Sequence, residues 1–239
     1  MSTLLEVSGL RKAYGDKVVL RDIDLTVEHG GVVCLIGSSG SGKSTLLRCL
    51  NLLETVDDGA IFFEGKEITD PRVDARAVRR RMGMVFQAYN LFPHMTVLEN
   101  ITLAPRQVHG VSRRFAEARA RDLLERLGLA DKASAHPDQL SGGQQQRAAM
   151  VRALATGPSL VLLDEVTSAL DPELVGEVLD IVRDMAAAGT TLVLATHEMA
   201  FARDVASKVC FLDDGAILEQ GPPLQIFSAP SHDRTRGSS

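Results

Sequence analysis

Residues 32–50 read VVCLIGSSGSGKSTLLRCL, and this stretch decides the fold class of the chain. Its centre fits the pattern G-x-x-x-x-G-K-[ST], which is typical of a loop that holds phosphate groups. Before the loop, residues 32–36 form a continuous apolar run, as in a buried parallel strand. After the loop, leucines recur at helical spacing at Leu46, Leu47, Leu50 and Leu53. Strand, loop and helix therefore occur in the order that a phosphate-binding α/β unit requires.

The loop supplies the predicted nucleotide-binding residues. Its glycines let backbone N–H groups approach the phosphates, and the N-terminus of the following helix adds positive charge. We expect Lys43 to reach the terminal phosphates and the Ser44 hydroxyl to bind Mg²⁺. The loop does not distinguish adenine from guanine. The predicted set is Gly37, Ser38, Ser39, Gly40, Ser41, Gly42, Lys43, Ser44 and Thr45.

Composition and charge narrow the class of protein. The 239 residues are 45% hydrophobic, so one large domain can bury a sizeable core. A formal net charge of -5 argues against a broad nucleic-acid-binding face, and the arginine triplet at residues 79–81 is interpreted as a solvated helix face. Cys34, Cys49 and Cys210 are widely spaced among apolar neighbours, which indicates buried thiols in a reducing compartment.

No stretch of the chain predicts a targeting or membrane-spanning segment. Residues 1–6 lack the charged and apolar regions of a signal peptide, and no apolar run approaches the ~20 residues that a membrane helix needs. We therefore expect a cytoplasmic protein whose contact with a membrane is made through a partner.

Apolar patterns predict an α/β core that a helical insertion interrupts. Alternation at Ile23, Leu25 and Val27, and the run 60–63 after an Asp57-Asp58-Gly59 turn, indicate antiparallel strands. Buried strands are predicted at residues 82–86, 160–163, 191–194 and 209–212. We predict a single domain: residues 1–88 and 158–239 form the nucleotide-binding core with an antiparallel β subdomain, and residues 89–157 form a helical subdomain.

Local signals mark the ends of the predicted helices. Thr96 and Glu99 make a capping box at the start of one helix, and Asp171-Pro172 begins a helix that Gly189 ends. Another helix ends at Gly128. Its apolar positions are Phe115, Leu123, Leu124 and Leu127.

Polar residues follow the predicted core strands, where open parallel sheets bind their ligands. We expect Asp164 to hold Mg²⁺ and Glu165 to accept the proton of an attacking water or to orient that water. Gln87 ends its predicted strand and could contact both the metal and the water, although a lone Gln there is more often a surface residue. His197 is positioned to donate to a γ-phosphate, the alternative being a structural histidine.

Residues 140–144 read LSGGQ and indicate a second anion-binding element. Ser141, Gly142 and Gly143 lead into a helix predicted to begin near Gln144. A hydroxyl, backbone N–H groups and the helix dipole would then point at an anion. A helix cap after a flexible turn would explain the glycines, but not a second anion site.

These motifs occur in an order that resembles the ATP-binding cassette (ABC) ATPases over nearly the whole chain. The ordered elements are the phosphate loop, Gln87, the LSGGQ run, Asp164-Glu165, residues 168–171 and His197. The resemblance implies a P-loop NTPase (RecA-like) α/β fold with ATP and Mg²⁺ as ligands. It also implies that Tyr14 stacks on adenine, the alternative being an ordinary packed tyrosine.

The same resemblance implies that the ATP sites are shared between two subunits. A homodimer, or a pair of cassette subunits, would place the LSGGQ element of one subunit against the γ-phosphate bound by the other. The residues implied in this contact are Ser141, Gly142, Gly143, Gln144 and Asp171.

A narrower resemblance, to the polar amino-acid uptake branch of bacterial importers, rests on residues 90–100, 168–179, 196–203 and 230–236. It implies a membrane permease as partner, an external substrate-binding protein acting through that permease, and a location on the inner face of the membrane. Residues 87–95 suit contact with the permease, and core packing of Leu91 and Phe92 is an equally good interpretation. The motifs leave open the ATPase of a methionine importer, of an exporter, or of a non-transport ABC system.

Two features depart from the family pattern. Val166 stands where the family usually has proline, so we expect a looser turn after Glu165. The chain also stops soon after Arg236, where relatives usually continue into a short apolar helix, so dimer stability is harder to predict than the chemistry.

Overall fold

A computed structural model describes residues 2–232 and residue 235. Three parts of the sequence analysis therefore lie outside the described residues. They are the first residue of segment 1–6, part of the 230–236 stretch, and the ending after Arg236.

A four-stranded antiparallel sheet forms one part of the scaffold, in the order β2-β1-β4-β5. Residues 5, 7, 23, 25 and 27 alternate inward along β1 and β2, which explains why this sheet has one apolar face. Its strands are β1 (Thr3–Tyr14), β2 (Lys17–Glu28), β4 (Asp58–Phe63) and β5 (Lys66–Glu67).

A six-stranded sheet in the order β10-β9-β3-β8-β7-β6 forms the centre of the fold. Its strands run parallel except for β10, which pairs antiparallel with β9. The central strands are buried on both faces, as their continuous apolar sequences require. The strands are β3 (Val32–Ile36), β6 (Met82–Val85), β7 (Leu160–Asp164), β8 (Leu192–Ala195), β9 (Lys208–Asp213) and β10 (Ala216–Gly221).

Eight α-helices are found in the described residues, and three of them, α3 to α5, lie between β6 and β7 in the chain. They fall within the predicted insertion at 89–157, although the division into subdomains stays a prediction. The helices are α1 (Lys43–Leu50), α2 (Ala75–Arg79), α3 (Val97–Gln107), α4 (Arg113–Arg126), α5 (Gly142–Leu154), α6 (Pro172–Ala187), α7 (Met199–Val205) and α8 (Pro223–Ser228).

Helix α5 connects the helical insertion to the central sheet. Ala149 and Met150 pack in the core on one face of the sheet, whereas Ala148 and Val151 pack in the core shared by α3 and α4. The helix also approaches β6 closely, since a Cβ built at Gly83 would lie 3.0 Å from the carbonyl oxygen of Ala153. One end of α5 is therefore anchored on the sheet.

The structure corrects several sequence-based boundaries. Leu53 lies beyond α1 and is 48% exposed, because the helix ends before Leu52, whose φ is +58°. Phe115 is 74% exposed, since the buried stripe of α4 contains Ala116, Ala120 and Leu124. Strand β4 already begins at Asp58, within the predicted turn. Finally, none of the described helices is both long and apolar enough to cross a bilayer.

Candidate nucleotide-binding and catalytic site

The phosphate loop requires glycine at two positions where its backbone is tightly packed. Gly37 has a φ of +144°, and a Cβ there would lie 2.0 Å from the Leu212 carbonyl oxygen. Gly42 has a φ of +108° at the start of α1, where a Cβ would lie 2.8 Å from the Leu20 side chain. Both conformations favour glycine, so the loop geometry depends on these residues.

Lys43 is buried at the first turn of α1, where its ammonium has three oxygen neighbours. Its Nζ donates to the carbonyl oxygens of Gly37 at 2.9 Å and Ser38 at 3.0 Å. The same nitrogen lies 3.5 Å from Oε1 of Glu165. A buried ammonium needs such partners, and phosphate oxygens at the loop could take their place.

Ser44 and Asp164 meet at the ends of adjoining elements. The Ser44 hydroxyl donates to Oδ1 of Asp164 at 2.7 Å. Burial raises the pKa of Asp164, and the Ser44 hydrogen bond opposes that shift. A hydroxyl and a carboxylate oxygen in contact fit the preference of Mg²⁺ for a few protein oxygens beside phosphate and water.

Glu165 begins a turn that strong local bonds hold in place. Its φ of +47° is uncommon for a residue with a side chain. Its carbonyl oxygen accepts from the N–H of Ser168 at 3.1 Å and from the Ser168 hydroxyl at 2.9 Å, while its own N–H donates to the Ala195 carbonyl oxygen at 3.1 Å. Val166 is buried in the core. These hydrogen bonds anchor the turn, and a loosening by Val166 stays a prediction.

Glu165 and Gln87 line the same cavity as the phosphate loop. The cavity has a volume of about 410 Å³, and Lys43, Ser44 and Thr45 are among its other lining residues. Gln87 does not end its strand as predicted. It lies two residues beyond Val85, the last residue of β6, because the chain has already left the sheet there. That departure lets Gln87 face the loop.

His197 joins this cluster through Glu165. Its Nε2 lies 3.0 Å from Oε1 of Glu165, and its imidazole is about half exposed. His197 follows β8 by two residues, so its position comes from the end of a central parallel strand. The structure thus brings together Gln87, Lys43, Asp164, Glu165 and His197 around one loop.

Tyr14 ends β1 beside the last residue of the loop. Its side chain is 46% exposed. Burial and the neighbouring Glu54 carboxylate raise its pKa, while a hydrogen bond with Thr45 opposes the shift. The Lys12 ammonium lies 5.1 Å from the ring centroid. An accessible ring next to Thr45 is where a base attached to loop-bound phosphates could stack.

The LSGGQ element forms a capped helix start, with α5 beginning at Gly142 and not near Gln144. The Ser141 hydroxyl accepts from the Gln144 N–H at 3.3 Å, and the Gln144 side-chain oxygen accepts from the Ser141 N–H at 3.0 Å. This capping box starts the helix earlier than the apolar pattern indicated. The N–H groups of Gly142 and Gly143, in the first turn, remain available to an anion.

This helix start is separate from the phosphate loop of the same chain. A Cβ at Gly142 would meet Tyr89 and Leu170, and one at Gly143 would meet Leu174. Throughout the described part of the chain, no hydrogen bond or ion pair joins residues 141–144 to residues 37–45. Asp171 is exposed nearby as the N-cap of α6, without the side-chain cap bond that its position had suggested.

Sequence reasoning missed several residues at this site. Lys17 and Val19 of β2 line the cavity, and Lys17 pairs with Tyr14 across the β1–β2 hairpin. A hairpin predicted around Gly15-Asp16 would have indicated this pairing. Arg152 binds the carbonyl oxygen of Asn90, 62 residues away in the chain and three residues after Gln87, and no local pattern signals that contact.

Comparison with known proteins assigns the chain to a family. Residues 20–168 match the family described as ABC transporter. The chain belongs to the ABC transporter family. Over 227 residues, this ABC subunit is 52% identical to the glutamine transport ATP-binding protein GlnQ of Geobacillus stearothermophilus, covering 95% of the chain and 94% of the relative.

A second relative and a solved structure agree with this assignment. The L-cystine import ATP-binding protein TcyC of Bacillus subtilis is 51% identical over 237 residues, with 98% of this chain and 96% of TcyC covered. The ATP-binding cassette MJ0796, solved as a dimer in a post-hydrolysis state bound to ADP and Pi, matches with a TM-score of 0.82 and 30% identity over 92% of this chain and 99% of that chain. The predicted family, fold and ATP-hydrolase class are confirmed.

Proposed function

We propose that this ABC subunit hydrolyses Mg²⁺-ATP as a dimer and thereby drives the uptake of a polar amino acid through a separate membrane permease. One observation carries the chemical part of this proposal. Oε1 of Glu165 lies 3.0 Å from His197 and 3.5 Å from Lys43, in the cavity that contains the phosphate loop. A carboxylate held at this point can act on a water that attacks a bound terminal phosphate.

Each residue of the cluster has a distinct task. Lys43 exchanges its carbonyl partners for oxygens of the β- and γ-phosphates, and the loop N–H groups bind the same phosphates. Ser44, Asp164 and Gln87 would hold a Mg²⁺ ion, which would supply positive charge to neutralise the phosphate oxygens. Glu165 accepts the proton of the attacking water, which Gln87 also contacts.

His197, in contact with Glu165, donates a hydrogen bond toward the γ-phosphate. Its contact with the carboxylate fixes the orientation of both side chains before nucleotide binds. Tyr14 supports the adenine ring by stacking. The residues with these assigned tasks lie at or just beyond the ends of β1, β3, β6, β7 and β8.

The LSGGQ element completes the site of a second copy of the chain. Ser141, Gly142, Gly143 and Gln144 present a hydroxyl and free N–H groups away from their own phosphate loop, so the anion that they bind comes from the partner subunit. Asp171 lies exposed next to them and contacts the same interface. The dimeric state of the related cassette MJ0796 supports this arrangement.

Contact with the permease is assigned to the segment after Gln87. Leu91 packs against two buried cores, whereas Phe92 is 42% exposed and lies 6.1 Å from the His94 ring. Each of the two interpretations therefore applies to one residue. Leu91 packs in the core and anchors the segment, and the exposed Phe92 contacts a helix of the permease. Through that contact the subunit works at the inner face of the membrane.

The class of cargo follows from the names of the relatives. GlnQ is a glutamine transport protein and TcyC an L-cystine import protein, and both are about equally similar to this chain. These names favour a polar amino-acid importer over a methionine importer, an exporter or a non-transport ATPase. An external binding protein would select the amino acid, since no residue described above contacts a cargo.

Vesicles prepared with the permease, this subunit and the binding protein test the proposal directly. The subunit and ATP are enclosed inside the vesicles. The binding protein and radiolabelled glutamine or cystine are on the outside. We expect ATP-dependent accumulation of a polar amino acid, and no accumulation with Glu165→Gln. The matched control is Glu125→Gln on the exposed surface of α4, which keeps wild-type uptake. Equal uptake by the Glu165→Gln and wild-type vesicles would refute the assigned role.

A further inference from the structure

Arg152 binds the backbone that follows Gln87 with both arms of its guanidinium. Nη1 donates to the carbonyl oxygen of Asn90 at 2.5 Å, and Nη2 donates to that of Tyr89 at 3.0 Å. In the described residues no carboxylate forms an ion pair with this side chain. The two carbonyl oxygens are therefore the groups that stabilise its positive charge. Burial lowers the pKa of Arg152, in keeping with a guanidinium shielded from water.

The backbone that Arg152 holds has an uncommon conformation. Asn90 has a φ of +52°, in the left-handed region that asparagine tolerates better than most residues. A residue stays in this region when its surroundings hold it there. The two bonds from Arg152 therefore restrain the chain at the point where it turns away from Gln87.

A second side chain secures the remainder of the segment. Asn100 of α3 is buried, and its amide donates to the carbonyl oxygens of Phe92 at 3.1 Å and Met95 at 3.2 Å. Its Oδ1 accepts from the Phe92 N–H at 2.7 Å. The backbone of residues 89, 90, 92, 95 and 96 is thus bonded to side chains of α3 and α5.

Arg152 also lies near the opposite end of α5 from the LSGGQ element. Ser141 caps the first turn of that helix, and Arg152 comes eleven residues later, about 16 Å along the axis at 1.5 Å per residue. Ala149, Met150 and Val151 are fully buried between these two ends. A helix packed in this way is rigid along its length.

We propose that Arg152 is a positioning residue for Gln87. Its fork holds the 89–90 backbone and so keeps the Gln87 amide in the cavity with Glu165. Through α5, the same contact links Gln87 to the helix start that meets the ATP of the partner subunit. This inference rests on the proposed role of Gln87, and it adds a residue that lies outside all the motifs of the phosphate site.

A double-mutant cycle in the full chain tests the inference. Phosphate release is measured against ATP concentration for Arg152→Met, Gln87→Ala and the double variant. We expect Arg152→Met to lower kcat roughly 10- to 100-fold while the KM for ATP changes less than about twofold, because misplacing a group near the reacting atoms costs this much. In the Gln87→Ala background, Arg152→Met should cause no further loss of kcat.

Two outcomes separate this inference from the function on which it rests. If Gln87→Ala lowers kcat but Arg152→Met lowers it by the same factor with and without Gln87, Arg152 acts independently and the inference is wrong. If Gln87→Ala leaves kcat unchanged, the proposed role of Gln87 fails and the inference fails with it.

Two further variants exclude a purely structural explanation. Arg119→Met removes another arginine that donates to a backbone carbonyl of the insertion, that of Leu154, and should keep wild-type kcat. Arg152→Lys keeps the charge but not the fork, so it should fold even where Arg152→Met does not, with a several-fold loss of kcat. The inference would be overturned if a folded Arg152→Lys chain had the wild-type kcat and if Gln87→Ala lowered that kcat by the same factor as in the wild-type chain.

Discussion

His197 Nε2 and Glu165 Oε1 lie 3.0 Å apart, at the ends of two adjacent parallel strands. The same carboxylate oxygen lies 3.5 Å from Lys43, whose loop follows the next strand in the sheet order β3-β8-β7. Three neighbouring strands thus place an ammonium group and an imidazole next to one carboxylate oxygen, Oε1 of Glu165. The geometry of a parallel sheet, which aligns the carboxyl ends of its strands, is sufficient to bring these residues together.

Glu165→Gln should bind ATP but release almost no phosphate, because the amide cannot accept the proton of the attacking water. A loss in kcat of ~10²- to 10⁴-fold is expected from removal of a general base. Since the γ-phosphate then persists, gel filtration with Mg²⁺-ATP should show a stable dimer. Glu125→Gln is the control with an unchanged rate. A Glu165→Gln chain that releases phosphate normally would remove Glu165 from the mechanism.

Asp164→Asn should stabilise the nucleotide-free chain while it weakens Mg²⁺-dependent hydrolysis. Burial raises the pKa of Asp164, so the folded state binds its proton more tightly than the unfolded state. Its ionised form therefore costs stability. The cost appears as the pH rises through the ordinary pKa of a carboxyl group, and it is constant above the raised pKa of the folded chain.

The measurement is the Tm at pH 7 without nucleotide, and Asp164→Asn should have the higher Tm. The asparagine oxygen still accepts from the Ser44 hydroxyl, so that bond is retained. An unchanged or lower Tm for Asp164→Asn would show that the carboxylate is not strained by burial.

The sequence predicted helix caps, the phosphate loop and strand alternation correctly, because each of these features is determined by a few consecutive residues. The capping box of Thr96 and Glu99 is present, and the phosphate loop lies between β3 and α1. Such features were predictable because four to nine residues contain all the interacting groups. The alternation in β2 likewise indicated an antiparallel strand.

Features that depend on distant packing were not predictable in the same way. Phe115 fits the apolar spacing of α4 but lies outside its buried stripe, which contains small alanines. The contacts of Arg152 with Tyr89 and Asn90 join residues more than sixty positions apart. The roles assigned to the site residues stay predictions, which the variants described here test.

Tyr14→Ala should weaken ATP binding, whereas Tyr14→Phe should keep it. The ring offers a stacking surface beside Thr45, and loss of base stacking costs on the order of 1–3 kcal/mol. The expected result is a KM for ATP that rises roughly 5- to 100-fold in Tyr14→Ala with little change in kcat. If Tyr14→Ala binds ATP as tightly as wild type, the tyrosine is only a packing residue.

The three thiols should react with alkylating reagents only after unfolding. Cys34, Cys49 and Cys210 are buried, and burial raises the pKa of Cys49 and of Cys210 to about 12. Almost none of each thiol is therefore in the reactive thiolate form at pH 8. Thiol titration should detect almost no reaction in the folded chain and all three thiols in denaturant. Rapid labelling of the folded chain would contradict the buried arrangement.

The central claim is that two chains share each ATP site, and mixing two inactive variants tests it most directly. Lys43→Ala removes the phosphate-binding ammonium, and Gly142→Asp places a carboxylate where the partner's γ-phosphate would bind. Aspartate is favourable in the first turn of a helix, and the nearest atom to a Cβ at Gly142 is the Tyr89 hydroxyl at 3.0 Å, the far end of a side chain, so Gly142→Asp should fold. Gly176→Asp is the control, because a Cβ there meets no atom within 4 Å.

Phosphate release is measured for each variant alone and for an equimolar mixture. The account predicts almost no release from either variant and recovery to roughly a quarter of the wild-type rate in the mixture, because half of the dimers are mixed and each contains one intact site. A Gly142→Asp chain that hydrolyses ATP at the wild-type rate by itself, or a mixture no more active than its components, would contradict the shared site.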